Sequence, residues 1–468
     1  MRIASIITTV ILIFALVPAA YAEPEVITKR ALVLPEGSIL FCGSVIVNGS
    51  NLPAFFSLDK QGRVHEAYYL DINFNGSFLD CAVGERGLVF SGYLEIKRRR
   101  VPIMVKVQEG DVKWSVLFQG DLMFAKSLAI LEDGYAAVGP VYGAVDSDIG
   151  VVFVDEDGRL KEAQAFGSLV YDDFVERIYY KNGSLLLVGS TWSQNVSYSD
   201  ILLAIVREGN VSILAFGGAD RDEGFAALQQ NTKNVVIGSS HSSRFGLSDA
   251  YFVVLVNSSI LRVFSLGWPS YEGFVDVCIK GDDMYFLGYS TYKAKQKGVL
   301  LRIKGNEVKN SVFVEAEGDV VPLSLGFLND SILTSVFLMG DTPFVLYLSS
   351  EDFKPLSSYT MESRHQFTVK VLQVDVRLNY CNLTDTWSVK RLSPSLRNLE
   401  IYSIKLPANL KPLNLILNKL EVESSVFTER DPPLKVISTF IGDNLPILVV
   451  LIPLLAIVAS VVITKRRF

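Results

Sequence analysis

The sequence has few of the residues that build metal centres or nucleophilic active sites. Its three histidines share no spacing typical of a metal triad; they are His65, His241 and His365. Its four cysteines contain no CxxC pair; they are Cys42, Cys81, Cys278 and Cys381. Neither a zinc cluster nor a catalytic residue is therefore predicted. Four cysteines permit two disulfides in three connectivities, and four buried free thiols are the alternative.

An excess of basic residues is also absent, since the net charge is −6. Phosphate binding needs a basic face, so the composition argues against nucleic acid as a partner. The basic run in the body of the chain, residues 97–100, predicts a solvated loop, with docking of an anionic glycan as the alternative.

Long, strongly apolar runs lie at the two ends of the chain. Residues 1–22 combine Arg2, an apolar run and a small-residue site, Ala20-Tyr21-Ala22, which predicts a cleaved secretory signal. Residues 445–463 carry no charge and precede Lys465-Arg466-Arg467, which predicts one transmembrane helix and a cytoplasmic tail at 464–468. The expected location is the cell membrane, single-pass, with the body of the chain outside.

Asn-x-Ser/Thr sequences agree with an extracellular body, because glycans require exposed loops in exported proteins. The candidate glycosylation sites are Asn48, Asn75, Asn182, Asn195, Asn210, Asn257, Asn329 and Asn382.

Between the ends, one strand pattern recurs every 47 to 50 residues: a tight turn, about four apolar residues and a small residue. The small residues are Gly43, Gly92, Gly139, Gly189, Gly238, Gly288 and Ser335. Each unit contains four short strands separated by turns rich in Gly, Asn and Asp, which short hairpins require. This period predicts an all-β, seven-bladed β-propeller over residues 23–374.

The pattern suggests complete units at 54–94, 102–142, 150–192, 201–241, 251–291 and 299–338. Near-continuous apolar strands such as 151–154 and 252–256 would then be innermost. The N-terminal pair at 26–47 would complete the sheet begun at 344–361 and close the ring. An eighth blade from strands at 367–383 and 399–420 is the alternative. Without it, residues 375–444 would form a β-rich stalk or closing segment before the membrane.

Two segments resemble the secreted bacterial and archaeal β-propeller repeat family. One runs from Trp114-Ser115 through Phe118-Gln119-Gly120 to the apolar strand ending at Gly139, and the other is Ala215-Phe216-Gly217-Gly218 followed by Asp222. The resemblance covers about residues 26–361 and implies the propeller fold and a membrane-anchored member of the family. It implies no particular function, because propellers serve many.

Acidic residues recur in loops expected on one face of the ring. The candidate ligand-binding residues are Asp148, Asp172, Asp173, Asp200, Asp222 and Asp249, with Glu223 and Glu272 in the same loops. Clustered carboxylates could coordinate Ca²⁺ or attract a cationic or hydroxyl-rich ligand. The alternative is that each one bonds backbone N–H groups and holds its own loop.

Aromatic residues in these loops could stack on sugars, although packing between blades would explain them as well. They are Tyr142, Trp192, Tyr198, Phe245, Trp268, Tyr271 and Tyr289. The sequence therefore predicts a surface-anchored, non-catalytic module that binds or scaffolds an extracellular protein or glycan. A carbohydrate-active enzyme using paired carboxylates and a structural component of the cell envelope are the alternatives.

Overall fold

The computed structural model describes residues 25–361, apart from 35, 86, 143–146, 168–171, 193–197, 208–209, 219, 231–232, 243–246, 257–258, 269, 306, 329–330 and 341. Beyond 361 it describes eight further strands between 369 and 426. The predicted signal (1–22), transmembrane segment (445–463) and tail (464–468) lie outside these residues. Nothing helical within the described part is long and apolar enough to cross a membrane.

Twenty-eight consecutive strands build the ring. Their bounds are β1 Glu25–Val33, β2 Ile39–Val47, β3 Ser50–Leu58, β4 Val64–Asp71, β5 Gly76–Gly84, β6 Gly87–Ile96, β7 Arg99–Gln108, β8 Asp111–Gln119, β9 Ser127–Leu131, β10 Gly134–Tyr142, β11 Ser147–Val154, β12 Leu160–Gly167, β13 Asp173–Lys181, β14 Ser184–Thr191, β15 Asp200–Arg207, β16 Asn210–Gly217, β17 Asp222–Gln230, β18 Lys233–Ser240, β19 Asp249–Val256, β20 Ser259–Leu266, β21 Glu272–Lys280, β22 Asp283–Ser290, β23 Lys297–Lys304, β24 Glu307–Glu315, β25 Val320–Leu328, β26 Ile332–Met339, β27 Thr342–Ser349 and β28 Pro355–Met361. One 3-10 turn, Tyr292–Ala294, precedes β23.

These strands form seven antiparallel sheets of four in the described part of the chain, taken in sequence order, so blade 1 is β1–β4 and blade 7 is β25–β28. The first strand of every blade contacts the first strands of both neighbouring blades, which places β1, β5, β9, β13, β17, β21 and β25 around the axis. The prediction of an all-β, seven-bladed propeller is confirmed.

The predicted blade boundaries were wrong by two strands. The unit 54–94 spans β3 to β6, but the sheet breaks between β4 and β5, and β2 pairs with β3. Asn48-Gly49 forms the two-residue turn of that hairpin, with both φ angles positive, as such turns require. Apolar strands 151–154 and 252–256 therefore lie third from the axis, in β11 and β19. They are buried because neighbouring blades cover both faces.

Closure of the ring by a shared sheet was also wrong. The N-terminal pair at 26–47 belongs entirely to blade 1, and blade 7 supplies its own four strands. The seam between the two is closed by packing: β1 contacts β25 and β27, and Phe41 of blade 1 shares one buried cluster with Val345 of blade 7.

A further eight strands run around the outside of the ring, and we call them the belt. They are β29 Val369–Gln373, β30 Asn379–Tyr380, β31 Ser388–Leu392, β32 Ser395–Asn398, β33 Tyr402–Lys405, β34 Asn409–Pro412, β35 Leu417–Lys419 and β36 Val422–Val426. In chain order, β29 to β35 pair with the fourth strands of blades 6, 5, 4, 3, 2, 1 and 7, and β36 returns to pair with β29.

The belt settles two expectations about the C-terminal region. Strands proposed for an eighth blade, at 367–383 and 399–420, are instead outer edge strands of the seven blades wherever they are described. The described parts of 375–444, predicted as a stalk or closing segment, likewise lie against the ring, and residues 427–444 lie outside the described residues. Between blades 1 and 7 the belt crosses the seam.

The recurring glycine has a steric cause. The innermost strand of most blades carries a β-bulge, as between Val175 and Arg177, and the glycine of the second strand lies opposite it. A Cβ added to Gly189 would lie 1.8 Å from the carbonyl oxygen of Phe174. In blade 7 the register places Phe337, not Ser335, at this position, opposite Pro322.

Candidate functional site

The loops on one face of the ring, which we call the loop face, join β2 to β3 and β4 to β5 and their counterparts in each blade. Residues that start the third and first strands lie there, and these include the predicted acidic residues. Backbone hydrogen bonds join the loops of neighbouring blades: Asp222 N donates to Ser199 O at 2.8 Å, and Glu272 N donates to Ser248 O at 3.0 Å. Backbone hydrogen bonds between blades thus make the loop face a connected platform.

The predicted acidic residues meet in pairs across joints between blades. Asp148 of blade 3 and Asp173 of blade 4 both approach Gly167, whose added Cβ would lie 2.3 Å from Asp148 Oδ1 and 2.7 Å from Asp173 Oδ2. Asp200 and Asp222 approach Gly217 in the same way, at 2.4 and 2.7 Å. Glycine at the end of the fourth strand therefore makes room for two carboxyl groups.

A third pair lies at the joint between blades 5 and 6, where Asp249 lies against Gly267 and is close enough to Glu272 to act on its ionisation. Burial, with the charge of Asp249 adding to it, raises the pKa of Glu272 to about 8, although hydrogen bonds from Ser270 and Ser290 oppose the rise. Burial likewise raises the pKa of Asp222 to about 7, with a contribution from Asp200. Two adjacent carboxyls in a dry site cannot both ionise freely, so the Asp200–Asp222 and Asp249–Glu272 pairs favour holding a proton.

Blade 6 carries a basic residue where the third strands of blades 3 to 5 carry an acid. Lys297 begins the third strand of blade 6, as Asp249 does in blade 5, and its buried side chain forms an ion pair with the partly exposed Glu315 of the adjacent strand β24 in the same blade. The Lys297 ammonium also lies 5.2 Å from the ring centroid of Phe313. Acid pairs across a joint between blades therefore occur at three successive joints, whereas blade 6 carries at the start of its third strand a lysine that pairs within its own blade.

The acidic residues do not form the exposed patch that the sequence suggested. All the paired carboxyls are buried, and Asp172, which is partly exposed, accepts a hydrogen bond from Ser147 N at 2.8 Å. Among the described residues no group of three or more His, Cys, Asp or Glu side chains is arranged to hold a metal ion. Two carboxylates fall short of the six to eight oxygen ligands that Ca²⁺ takes. Calcium binding stays a prediction.

The axis of the ring is bridged by ion pairs rather than open. Arg30 Nε lies 3.3 Å from Asp80 Oδ1, and Ser127 Oγ donates to Asp80 Oδ2 at 2.6 Å. Arg177 Nη1 lies 3.2 Å from Asp276 Oδ1, and Leu325 N donates to Asp276 Oδ2. Two arginines and two aspartates therefore neutralise one another inside the channel.

Exposed aromatic side chains are the distinctive feature of the loop face. Among the described residues, eight of the ten most exposed large hydrophobic side chains lie there; they are Phe74, Tyr142, Phe174, Trp192, Tyr198, Leu247, Tyr271 and Val321. The other two, Val83 and Leu356, are aliphatic and lie on the opposite face. Tyr142, Tyr198 and Trp192 are 64%, 63% and 49% exposed.

We call the set Tyr142, Phe174, Trp192, Tyr198 and Tyr271 the aromatic crescent: one member lies in blade 3, three lie in blade 4, and Tyr271 lies in the connection between blades 5 and 6. It contains four of the aromatic residues predicted from the sequence. Of the others, Trp268 packs on Phe313 with ring centroids 4.8 Å apart, Tyr289 is partly buried, and Phe245 lies outside the described residues. Phe174 was not predicted, because it is the second residue of a strand rather than a loop residue.

The remaining predicted positions are scattered. The basic run 97–100 forms the tip of hairpin β6–β7 in blade 2, with Arg100 4.5 Å from the ring centroid of Tyr93. His65 is exposed in β4, whereas His365 lies outside the described residues. Of the candidate glycosylation sites, four are exposed and described, namely Asn48, Asn75, Asn182 and Asn210; Asn195, Asn257, Asn329 and Asn382 lie outside.

The opposite face has a cavity of about 150 Å³ between blades 3 and 4, lined by residues that include Glu162 and Tyr180. It is smaller than the roughly 300–1,000 Å³ typical of small-molecule sites. Fold and surface together define a seven-bladed β-propeller with an aromatic loop face.

Neither a family model nor a curated protein matches the chain. Several solved structures are similar at low identity. Sqt1 from Chaetomium thermophilum is 9% identical over 74% of this chain and 92% of its own, with a TM-score of 0.41. A mutant of the Synechocystis apocarotenoid oxygenase is 8% identical over 77% and 95%, with a TM-score of 0.38. A Bombyx mori GH32 β-fructofuranosidase, BmSUC1, is 11% identical over 73% and 90%, with a TM-score of 0.29. Likenesses this distant carry no argument about function.

Proposed function

We propose that the chain is a cell-surface β-propeller that binds an extracellular glycan, without catalysis, through the aromatic crescent. The observation that supports this is the concentration of exposed Tyr, Trp and Phe side chains on one face. Aromatic rings combine a large apolar surface with, in Tyr and Trp, a polar group, which suits the mixed faces of a sugar ring. Exposed apolar patches on soluble domains commonly mark binding sites.

The hydrogen-bonded loops beneath the crescent favour a role in ligand binding. Inter-blade backbone hydrogen bonds hold the loops, so little conformational freedom would be lost when a ligand is bound. Arg221, Asp220 and Glu223 lie beside the crescent at the start of blade 5, and Arg221 pairs with Glu223. Polar groups of this kind could hydrogen-bond sugar hydroxyls at the rim.

Membrane attachment is part of the same proposal, and its support is the sequence of the two ends. A tethered ring with several modest contact points would bind a surface polymer more tightly than a free one, because tethering raises the effective concentration. N-terminal sequencing that begins at Glu23, with the chain retained in carbonate-washed membranes, is the expected result. A chain that retains Met1, or one released by the wash, would contradict the anchoring.

The binding test uses the detergent-solubilised full chain on a glycan array. Replacing Tyr142, Trp192 and Tyr198 together by Ala should reduce retention at least tenfold without changing the melting temperature. The matched control replaces Val83 and Leu356 by Ala on the opposite face and should bind normally. Equal retention by both variants would exclude the crescent as the site.

The alternatives give different results in the same preparation. Capture of one protein partner that depends on the crescent, with no glycan retained, would mean that the face is right and the ligand class wrong. A hydrolase would release shorter products from a polysaccharide, and the release would stop in Asp200→Asn or Asp222→Asn. Burial of these carboxyls makes that outcome the less favoured one.

A further inference from the structure

Two of the cysteines face each other across the joint between blades 1 and 2. Cys42 lies in β2 and Cys81 lies in β5, and both are buried members of one apolar cluster. Each belongs to a cross-strand pair, Cys42 with Phe55 and Cys81 with Phe90. The rings of Phe55 and Phe90 stack with centroids 4.5 Å apart. The two cross-strand pairs therefore pack against each other through their phenylalanine rings.

A second contact fixes the same two strands one residue away. Arg30, the partner of Cys42 in β1, forms an ion pair with Asp80, which directly precedes Cys81. Asp80 Oδ1 also accepts the backbone N–H of Cys81 at 2.9 Å. Sliding of the two blades past each other would break these contacts, so the thiols are held in register. Burial raises the pKa of the Cys42 thiol, and the adjacent Cys81 raises it further.

We propose that Cys42 and Cys81 form an intramolecular disulfide that staples blade 1 to blade 2 when the chain folds in an oxidising compartment. Two S–H bonds break and one S–S bond forms. The two electrons and two protons pass to the disulfide of a thiol oxidant such as oxidised glutathione, which becomes two thiols. The third described cysteine, Cys278, lies in another cluster, in blade 6, and is not a partner.

The disulfide would fix the position of blade 1, which lies at the seam of the ring. Blade 1 meets blade 7 through the packing of β1 against β25 and β27, so the position of blade 1 determines the seam. A cross-link between residues 42 and 81 encloses a loop of about 40 residues, and loops of this length give substantial stabilisation. Buried and correctly aligned cystines are also thermodynamically hard to reduce.

The test starts from the purified full chain, refolded with a mixture of oxidised and reduced glutathione, deglycosylated, alkylated and digested with trypsin. The expected result is one cross-linked pair of peptides, residues 31–60 joined to 64–86, which separates on reduction. Alkylation of both Cys42 and Cys81, or a link from either one to Cys278, to Cys381 or to a second chain, would overturn the assignment.

Stability gives a second readout that does not depend on mass spectrometry. Reduction should lower the melting temperature of the oxidised wild type by about 5 °C. Cys42→Ala/Cys81→Ala should show no reductant effect, whereas the matched control Cys278→Ala should keep it. Even if the double variant fails to fold, the wild-type comparison remains decisive. Once peptide analysis shows that the reductant has cleaved the link, an unchanged melting temperature would overturn the stapling role.

Discussion

Arg177 and Asp276 form an ion pair at 3.2 Å although they belong to blades 4 and 6, which are not neighbours. Blade 5 carries Ala226 at the equivalent position after its bulge, and this small side chain leaves the space across which the arginine reaches. Both partners are only 15% exposed. The pair therefore ties one side of the ring together through the axis.

Removing one partner of this pair should be strongly destabilising. Arg177→Met leaves Asp276 buried without its countercharge, and we expect a loss of about 3 kcal/mol in the free energy of unfolding. Urea denaturation measures it. The control is Arg159→Met, because the pair that Arg159 forms with Asp157 is largely exposed and should contribute less than about 1 kcal/mol. Similar losses in the two variants would contradict the axial role.

The acid pairs predict an unusual dependence of stability on pH. Asp222 and Glu272 have folded pKa values raised to about 7 and about 8, so between about pH 4 and pH 8 the folded chain binds more protons than the unfolded chain. Their contribution to stability is full below pH 4 and is lost as pH rises through the folded pKa, by up to about 1.4 kcal/mol per pH unit and group.

Melting curves between pH 5 and pH 8.5 test this directly. The wild type should melt at progressively lower temperature, whereas Asp222→Asn/Glu272→Gln should give a flatter profile, because the amides mimic the protonated acids. A wild-type profile that rises over this range, or an unchanged slope in the double variant, would contradict proton sharing at the joints.

Where a glycine lies opposite a bulge, as Gly189 does in blade 4, it should tolerate no side chain. In Gly189→Ala the new methyl group would meet the carbonyl of Phe174 at 1.8 Å, so we expect a loss of about 3 kcal/mol or more. Gly183 has open space around it but a φ of +73°, and Gly183→Ala should lose only about 1 kcal/mol. Chemical denaturation of both variants separates steric conflict from backbone strain, and equal losses would refute the distinction.

Removing the belt should loosen the ring and expose its edges. A chain ending at residue 361 leaves the fourth strand of every blade unpaired on its outer side, and such edges invite association. We expect a lower melting temperature and aggregation detectable by light scattering. The control ends at residue 430, which keeps β36 and also lacks the predicted transmembrane segment. A monomeric, equally stable 361-residue chain would show that the belt is dispensable.

The sequence predicted the strands well because their determinants are local. Turns rich in Gly, Asn and Asp and the 47-to-50-residue period located almost every strand of blades 1 to 7, and seven was the right number. A period, however, is unchanged when the unit is shifted by two strands. The Asn48-Gly49 sequence distinguishes between the two possible blade boundaries. An Asn-Gly turn between apolar strands is a strong hairpin signal, so β2 and β3 should belong to one blade.

The candidate site was predicted in part, for a similar reason. Alternation of loops placed Asp148, Asp200 and Asp249 on the correct face and near Asp173, Asp222 and Glu272. Exposure depends on packing between blades, so the sequence could not show that these acids are buried while Tyr142, Trp192 and Tyr198 stand in solvent. The belt was missed because its strands are short and pair with segments up to several hundred residues away.

The belt also fixes the order of events during synthesis. The belt strands follow all seven blades in the chain, so none of them can pair with the ring until the last blade has been synthesised. Among the described belt strands, β34 pairs with blade 1 and the later strand β35 pairs with blade 7, the two blades that meet at the seam. Until the belt has been synthesised, no belt strand pairs with the outer edges of the blades. A nascent chain stalled before that point would carry a ring that can still open, and its vulnerability to proteases should end only once the final strands arrive.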